Sequence, residues 1–314
     1  MREPTEGQEQ ALLALLTHLA TCGYRFTTVS PATHARVIGW RAGALAHDLR
    51  DVLGWSLPFR RGTIDDETEA LLGAAGALRG KGEVVRASVR VSSLGERLFL
   101  HSAYPTDAED SVFFGPDSYR FAAAIEAELA ARPLRTGAHV VDIGAGSGVG
   151  GIVAGRVQPD AQVTLTDVNH QALAFARVNA AAAGVKVETL TSENLDPVAD
   201  PIDFAVANPP YIIDAAGRAY RDGGELMGGA IALDMARMAA ARLAPEGRLL
   251  LYTGATIVAG RSPLIDALEQ LAGEQGLALA WCETDPDVFG EELANRAYRH
   301  AERIAVIVAT LHRR

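Results

Sequence analysis

The stretch FAVANPPYI, residues 204–212, ends an apolar run with residue types that could hold a reacting nitrogen. The NH₂ group of an amide or a nucleobase is planar and weakly nucleophilic, because its lone pair is delocalised. The side-chain oxygen of Asn208 and the carbonyl of Pro209 could accept its two N–H groups and so orient that lone pair. Pro210 stiffens the loop, and Tyr211 could stack on the flat group. A plain turn is the alternative, since two prolines commonly end a strand.

A glycine-rich loop, VVDIGAGSGVGG at residues 140–151, follows the first strand of a later sheet and opens a helix. Glycine lets the backbone approach a ligand closely, and a helix N-terminus offers unpaired N–H groups. The sequence therefore predicts a nucleotide-type cofactor here. The predicted cofactor-binding residues of the loop are Asp142, Gly144, Ala145, Gly146 and Gly148.

Four more residues complete the predicted cofactor site: Asp167, Val168, Asn194 and Asn208, the last of which is also a predicted catalytic residue. Asp167, about twenty residues past the loop and next to Val168, could accept ribose hydroxyls. Asn194, after the third strand, could bond an adenine amino group or simply form a turn. The glycine spacing also fits a dinucleotide pattern, so an NAD enzyme is an alternative. Asp142 argues against it, because a carboxylate there would repel a pyrophosphate but attract a cofactor that carries an ammonium and a sulfonium.

Alternating strands and helices from about residue 112 predict an α/β, doubly wound, mostly parallel sheet of seven strands. The predicted strands are 140–143, 162–166, 185–190, 204–207, 248–253, 277–282 and 304–311, and the predicted helices are near 149–157, 170–183, 230–243 and 262–275. No helical segment separates the last two strands. We therefore expect the seventh strand to be antiparallel beside the sixth, and the sixth to be parallel to the fourth.

Two domains are predicted, a small N-terminal α+β domain at residues 1–110, with helices and a β-hairpin that recognise the substrate, and a catalytic domain at residues 111–314. The hairpin joins the β-like runs EVVRASVRVS and RLFLHSAY. Arg86 and Arg90 are expected on one strand face and could, with Lys81 and Arg97, contact a phosphate backbone as in a winged helix. A solvated hairpin face is the alternative.

Charge and composition restrict the class of protein. The 314 residues are 48% hydrophobic, and the formal net charge is −10. Residues 1–105 carry about +1 and the remainder about −11, which makes the catalytic part a poor general phosphate binder. Cys22 and Cys282 lie far apart and fit a reducing cytoplasm. The histidines show no metal spacing, no run is long enough to cross a membrane, and the first twenty residues predict an amphipathic helix, not a secretory signal.

The segments VVDIGAGSG, LTDVNHQALAFARVNA and VANPPYI together resemble the class I S-adenosylmethionine-dependent methyltransferases, over roughly residues 112–311. The N-P-P-Y loop resembles the branch that methylates amide or exocyclic amino nitrogens. FFGPDSYRFA and GGELMGGAIALDMA are most similar to segments of the protein-glutamine N5-methyltransferases that act on release factors. The resemblance implies S-adenosylmethionine as cofactor and S-adenosylhomocysteine as product. The N-terminal module and residues 283–303 have no clear counterpart in that family.

Two segments near the predicted site carry further expectations. Asp117 and Tyr119, at a helix start, are expected to cap that helix, with contact to the carboxylate region of the cofactor as the alternative. The loop after the sixth strand should emerge on the active-site side. Four acids and one aromatic residue of that loop could line the substrate entrance and disfavour phosphate-rich substrates, or form a solvated surface: Asp285, Asp287, Glu291, Glu292 and Phe289.

The best hypothesis from the sequence is N-methylation of a side-chain amide in a protein, preferably glutamine, catalysed by Asn208, Pro209, Pro210 and Tyr211. A nucleic-acid base methyltransferase, acting on adenine N6 or guanine N2 with the N-terminal hairpin as phosphate contact, is the second hypothesis. A small-molecule N-methyltransferase is the third. A cofactor-binding regulator without activity is the fourth, and an intact N-P-P-Y loop argues against it.

Overall fold

A computed structural model describes residues 4–106, 108–213 and 222–314. The α-helices are α1 (Glu6–Thr21), α2 (Pro31–Trp40), α3 (Leu49–Leu53), α4 (Asp66–Ala74), α5 (Pro116–Ala131), α6 (Val149–Val157), α7 (His170–Ala183), α8 (Glu225–Gly228), α9 (Ala230–Ala240) and α10 (Pro263–Gln275). Two 3₁₀ helices follow the sixth strand of the main sheet, η1 (Gly290–Ala294) and η2 (Arg296–Tyr298).

The strands fall into an N-terminal group and a C-terminal group. The N-terminal strands are β1 (Phe59–Arg60), β2 (Leu78–Arg79), β3 (Val84–Ala87), β4 (Val89–Leu94) and β5 (Arg97–Ser102). The C-terminal strands are β6 (His139–Ile143), β7 (Gln162–Asp167), β8 (Val187–Thr191), β9 (Ile202–Ala207), β10 (Leu243–Ile257), β11 (Leu277–Asp285) and β12 (Arg303–Arg313).

The seven C-terminal strands form one sheet in the order β11-β12-β10-β9-β6-β7-β8. Neighbouring strands from β10 to β8 are parallel, whereas β12 is antiparallel to both β10 and β11. The predicted fold class is confirmed, including the antiparallel last strand beside the sixth. Because β12 lies between the fifth and sixth strands, the carboxyl end of β11 emerges at the same edge as those of the parallel strands.

Burial on both faces explains why the central strands are continuously apolar. All six residues of β9 are buried. Ala205 and Ala207 belong to the core beneath α9 and α10, whereas Phe204 and Val206 belong to the core beneath α5, α6 and α7. This alternation follows from the two-residue period of a strand, and covering both faces is what a parallel sheet requires.

The N-terminal part contains the sheet β1-β3-β2 and the hairpin β4-β5, which pack with α1 on one side of α7. The run 83–92 was expected to be one strand, and this is wrong. The chain changes sheets at Ser88, whose N–H donates to Ala77 O at 2.8 Å. As a result Arg86 is exposed while Arg90 is 4% exposed, so the expectation that they share a face is also wrong.

The domain division near residue 110 stays a prediction. Ala172, Phe175 and Val178 of α7 belong to the same hydrophobic cluster as the N-terminal helices and strands. Among the described residues, no helix is both long and apolar enough to cross a membrane.

Candidate functional site

A cavity of about 830 Å³ opens at the carboxyl ends of β6, β7 and β9. This edge of a doubly wound sheet is where ligands of such folds bind, and the volume suits a nucleotide-sized ligand. The structure brings to this cavity the following residues predicted from the sequence: Asp142, Gly144, Ala145, Gly146, Asp167, Val168, Asn194, Asn208, Pro209, Pro210 and Tyr211. Gly148 is absent from the described lining.

Gly148 lies at the start of α6, on the side of the glycine loop that faces α7. Its φ is 82°, and an added Cβ would lie 3.0 Å from the Cβ of Ala176 in α7. This glycine therefore allows close packing of the loop on α7, which differs from the predicted contact with a cofactor. Gly144 and Gly146, with φ of 68° and 56°, lie at the cavity wall, where the left-handed backbone favours glycine.

Asp142 and Asp167 place two carboxylates in the cavity wall. Asp142 is 1% exposed and accepts a 2.8 Å hydrogen bond from the N–H of Gly151 in the first turn of α6. The two oxygens of Asp167 accept from the N–H groups of Gly146 and Asn169, each at 2.8 Å. Each carboxylate keeps lone pairs for a ligand, because a carboxylate has about four acceptor positions.

Burial raises the pKa of Asp142 to about 7, and the neighbouring Asp167 carboxylate acts in the same direction, while the N–H groups of Gly151 and Gly150 lower it. Burial also raises the pKa of Asp167, opposed by its backbone N–H donors. A cation held nearby would favour the charged form of both groups. The pair therefore fits the ammonium and sulfonium of the expected cofactor.

Asp142 predicts a pH dependence of stability in the protein without ligand. Its folded pKa lies above the unfolded value of 3.8, so the folded state retains a proton between pH 3.8 and about 7 that the unfolded state has lost. The contribution of this group to the free energy of unfolding therefore falls as pH rises through that window, and is level above it. Urea unfolding from about pH 4 to 8 should show this fall for the wild type relative to Asp142→Asn. Parallel pH curves for the two proteins would contradict the burial of a titrating carboxyl.

The N-P-P-Y loop follows β9 directly and forms the adjacent wall of the cavity. The hydroxyl of Tyr211 donates to Asp117 Oδ2 at 2.7 Å, and the hydroxyl of Tyr252 donates to Asp117 Oδ1 at 2.8 Å. Tyr211 is only 6% exposed, and its ring packs against Gly254. The tyrosine thus fixes the loop to the sheet, and the predicted stacking on a substrate stays a prediction.

The expectation that Asp117 and Tyr119 cap α5 is wrong. The N–H of Gly115 donates to Ser118 Oγ at 3.2 Å at the start of that helix, while Asp117 is buried against the two tyrosines. The hydroxyl of Tyr119 accepts instead from Thr28 N at 2.9 Å, which links α5 to the N-terminal part. Asp117 lines the cavity, which is compatible with the alternative of a contact with the cofactor, and that contact stays a prediction.

The segment after β11 packs on Tyr211 of the N-P-P-Y loop and on Ile213, which follows the loop. Phe289 contacts the Tyr211 ring edge-on, with 5.8 Å between centroids. The hydroxyl of Tyr298 accepts from Ile213 N at 2.8 Å, and Asn295 Nδ2 donates to Ile213 O at 3.3 Å. The segment for which the sequence analysis expected no clear counterpart in the family therefore contacts the residue that follows the N-P-P-Y loop.

This segment supplies only part of the predicted entrance. Phe289, Glu291 and Glu292 line the cavity, as expected. Asp285 instead accepts from Arg120 Nη2 at 2.9 Å, and Asp287 is exposed away from the described cavity lining. Asp287 therefore follows the alternative of a solvated surface, and the expected place at the entrance is wrong for Asp285, which pairs with Arg120.

Asn194 lies at the cavity edge in a local turn. Its Oδ1 accepts from Asp196 N at 2.9 Å and its Nδ2 donates to Asp196 Oδ2 at 2.9 Å. This geometry is the turn alternative, and contact with an adenine stays a prediction.

Asn179 of α7 is a residue that sequence reasoning missed. It is fully buried, accepts from Leu100 N at 2.7 Å, and donates through Nδ2 to Leu100 O at 3.0 Å and Ser147 O at 2.9 Å. One side chain thereby ties the N-terminal hairpin to the glycine loop. The only signal in the sequence was an amide in an otherwise alanine-rich helix.

The electrostatics of the cavity are one-sided. Among the described residues that line it there is no Lys, Arg or His, and the lining carboxylates are Glu109, Asp117, Asp142, Asp167, Glu193, Asp222, Asp234, Glu291 and Glu292. Such a wall attracts cations and repels pyrophosphate. The geometry therefore disfavours the NAD alternative.

Comparison with known proteins identifies the family of this chain. The model of the methyltransferase small domain matches residues 123–271. The chain is 32% identical over 212 residues to release factor glutamine methyltransferase from Cereibacter sphaeroides, which covers 63% of this chain and 70% of that protein. This chain belongs to the S-adenosylmethionine-dependent methyltransferases. The cofactor of this family is S-adenosylmethionine.

Other methyltransferases match over shorter parts of their length. Release factor glutamine methyltransferase from Deinococcus radiodurans is 34% identical over 171 residues, 51% of this chain and 58% of that protein. Ribosomal RNA small subunit methyltransferase C from Pseudomonas entomophila is 32% identical over 101 residues, 28% of this chain and 30% of that protein. The chain thus spans less than two thirds of both relatives, and their names include a protein and an RNA substrate.

A solved structure supports the fold alone. Trm5b from Pyrococcus abyssi superposes with a TM-score of 0.50 at 14% identity, over 78% of this chain and 68% of that chain.

Proposed function

We propose that this methyltransferase transfers the methyl group of S-adenosylmethionine to a planar amide or amino nitrogen, and that the acceptor is a glutamine side chain in a protein. The observation that carries the proposal is the position of the N-P-P-Y loop. Asn208, Pro209 and Pro210 line the same cavity as the carboxylates of Asp142 and Asp167. A nitrogen held by the loop would therefore lie beside a site suited to a cationic cofactor.

When bound, S-adenosylmethionine supplies a methyl group activated by its sulfonium. Asp142 and Asp167 would hold its cationic and ribose parts, and the glycine loop would provide the close backbone wall. The side-chain oxygen of Asn208 and the carbonyl of Pro209 would accept the two N–H groups of the acceptor. Orientation of the acceptor nitrogen and electrostatic stabilisation would then account for most of the lowering of the barrier to methyl transfer. The proton that the acceptor nitrogen loses would pass to water.

The choice of a protein acceptor is supported by the acidic wall of the cavity. Phosphates of a nucleic acid would meet Glu109, Glu291 and Glu292 at the cavity, whereas an uncharged amide would not. Burial of Arg90 also removes one of the four basic residues proposed as phosphate contacts. Methylation of adenine N6 or guanine N2 remains the second candidate, favoured by the similarity to an enzyme named for ribosomal RNA.

Glu291 and Glu292 should control acceptor affinity. Changing both to lysine should alter the KM for the acceptor about 5- to 50-fold, upward for a neutral or basic protein and downward for RNA. The affinity for S-adenosylmethionine, measured by calorimetry, should fall by a smaller factor than the change in KM, because Asp142 and Asp167 are retained. Asp287→Lys is the matched control, because Asp287 is on the same segment but away from the described cavity lining. Equal effects of the double change and the control would contradict the placement.

The acceptor class is tested by incubating the purified protein with radiolabelled S-adenosylmethionine and a cell extract, followed by protease or nuclease. We expect protease alone to remove the label from large material. Removal by nuclease alone would favour the nucleic-acid candidate. Label found only in small molecules would favour a metabolite acceptor. Cofactor binding without transfer to any fraction would indicate a regulator without activity.

A further inference from the structure

A second, smaller pocket lies between the N-terminal hairpin and α2. Arg90 of β4 is 4% exposed, and neither Nε nor Nη2 has a hydrogen-bond partner among the described residues. Its guanidinium carbon lies 5.7 Å from the centre of the Phe26 ring, and no carboxylate of the described residues forms an ion pair with it. A buried guanidinium without a counterion is costly, so the arrangement favours an anion.

Among the described residues that line this pocket, Arg90 is the one that carries a positive charge at neutral pH. Burial lowers the pKa of Arg90 to about 10, so it stays protonated at neutral pH. Burial and the nearby Arg90 lower the pKa of His34 to about 4 and also lower that of His101, so both rings are neutral. The ring of His34 lies 4.1 Å from that of Tyr104, between centroids, which closes one side of the pocket.

The small pocket adjoins the main cavity. Its volume is about 10 Å³, enough for a group the size of a water molecule or a carboxylate oxygen. Pro31, Tyr104, Thr106 and Phe113 line both spaces. The described lining of the main cavity contains carboxylates and no Lys, Arg or His. Arg90, in the adjoining small pocket, is therefore the cation available to an anionic group of a molecule bound in the main cavity.

We propose that Arg90 binds the carboxylate of a ligand that lies in the main cavity. Nε and Nη2 lie on one edge of the guanidinium and form a fork whose two N–H groups can both donate to the one carboxylate oxygen that the small pocket admits. The amino-acid part of S-adenosylmethionine carries such a group, and an acceptor could carry one too. The inference rests on the proposed function for the identity of the ligand in the main cavity. The carboxylate site at Arg90 can be tested by binding alone, without methyl transfer.

The first test uses formate as a free carboxylate, at constant ionic strength, and follows the melting temperature. Formate should raise it saturably in the wild type and in Arg86→Met, a surface control from the neighbouring strand, but not in Arg90→Met. Arg90→Lys, which keeps the charge and loses the fork, should retain a smaller rise. No rise in the wild type, or an equal rise in Arg90→Met, would overturn the proposal. A rise that appears only in the variant Asp107→Asn would also overturn the proposal. It would mean that the carboxylate of Asp107, and not that of a ligand, is the anion for Arg90.

The second test identifies the source of the carboxylate by calorimetry. S-adenosylmethionine and its decarboxylated analogue differ only in that group. If the cofactor supplies it, Arg90→Met should weaken binding of S-adenosylmethionine about 10- to 100-fold and leave the analogue unchanged. If binding of both is unchanged while the formate effect is lost, the carboxylate belongs to the acceptor. Equal weakening of both would show a general disturbance of the main cavity and would overturn the proposal.

Discussion

Asn208→Ala should lower turnover about 10- to 100-fold and leave the affinity for S-adenosylmethionine nearly unchanged. The side-chain oxygen of Asn208 is the proposed acceptor for one N–H of the substrate nitrogen. Without it the nitrogen keeps a single fixed contact, from the carbonyl of Pro209, and its lone pair loses direction. Single-turnover kinetics at saturating cofactor would measure the effect on the chemical step.

Asn208→Asp is the companion variant, because it keeps an oxygen acceptor of the same size. We expect it to lose less turnover than Asn208→Ala. Calorimetry with S-adenosylhomocysteine should show that both variants still bind the cofactor product. Full turnover by Asn208→Ala would show that the loop does not hold the acceptor nitrogen.

Gly254→Ala should damage the site by displacing the Tyr211 ring that packs on this glycine. A Cβ at this position would lie 2.0 Å from Cδ2 of the Tyr211 ring. The ring cannot move freely, since its hydroxyl is bonded to Asp117 and its edge contacts Phe289. We expect a loss of about 1–3 kcal/mol in the free energy of unfolding, and about a 10-fold or greater loss of turnover as the loop shifts.

Gly273→Ala is the matched control for that substitution. Gly273 lies in α10, and apart from the adjoining residues and backbone of that helix, no atom of the described residues lies within 4 Å of the position of an added Cβ. Alanine there should be neutral or stabilising by up to about 1 kcal/mol, because it lowers the entropy of the unfolded chain. Urea unfolding compares the two variants directly. If Gly254→Ala behaved like the control, the packing of Tyr211 would not position the loop.

The sheet could be predicted from the sequence because its signals are local. Alternating strand and helix patterns indicated the seven strands and the antiparallel last one. The ends of helices and strands depend also on contacts between distant residues. The helix expected to reach residue 243 ends at Ala240, because Leu243 already pairs with Ile202 in the sheet. That pairing joins residues far apart in the chain, and no local pattern shows it.

The parts of the site that could not be predicted depend on such distant contacts. Asp117 stands where a capping residue is common, yet its partners are Tyr211, in the loop after β9 and 94 residues away, and Tyr252, in β10 and 135 residues away. Arg90 was expected at the surface, because the bend at Ser88 leaves no mark in an apparently continuous strand pattern. The cavity acids Glu291 and Glu292 were predicted, since the strand order alone brings their segment to the active-site edge.

We propose that the acidic cavity holds S-adenosylmethionine while the N-P-P-Y loop holds the planar nitrogen that receives the methyl group. The most direct measurement is to identify the atom that receives the methyl group, using labelled S-adenosylmethionine and the acceptor recovered from a cell extract. Acid hydrolysis of a methylated side-chain amide releases volatile methylamine. We predict that the label appears as methylamine from a protein, and that Asn208→Ala reduces it. Label retained on carbon, sulfur or a hydroxyl oxygen after hydrolysis would contradict the account.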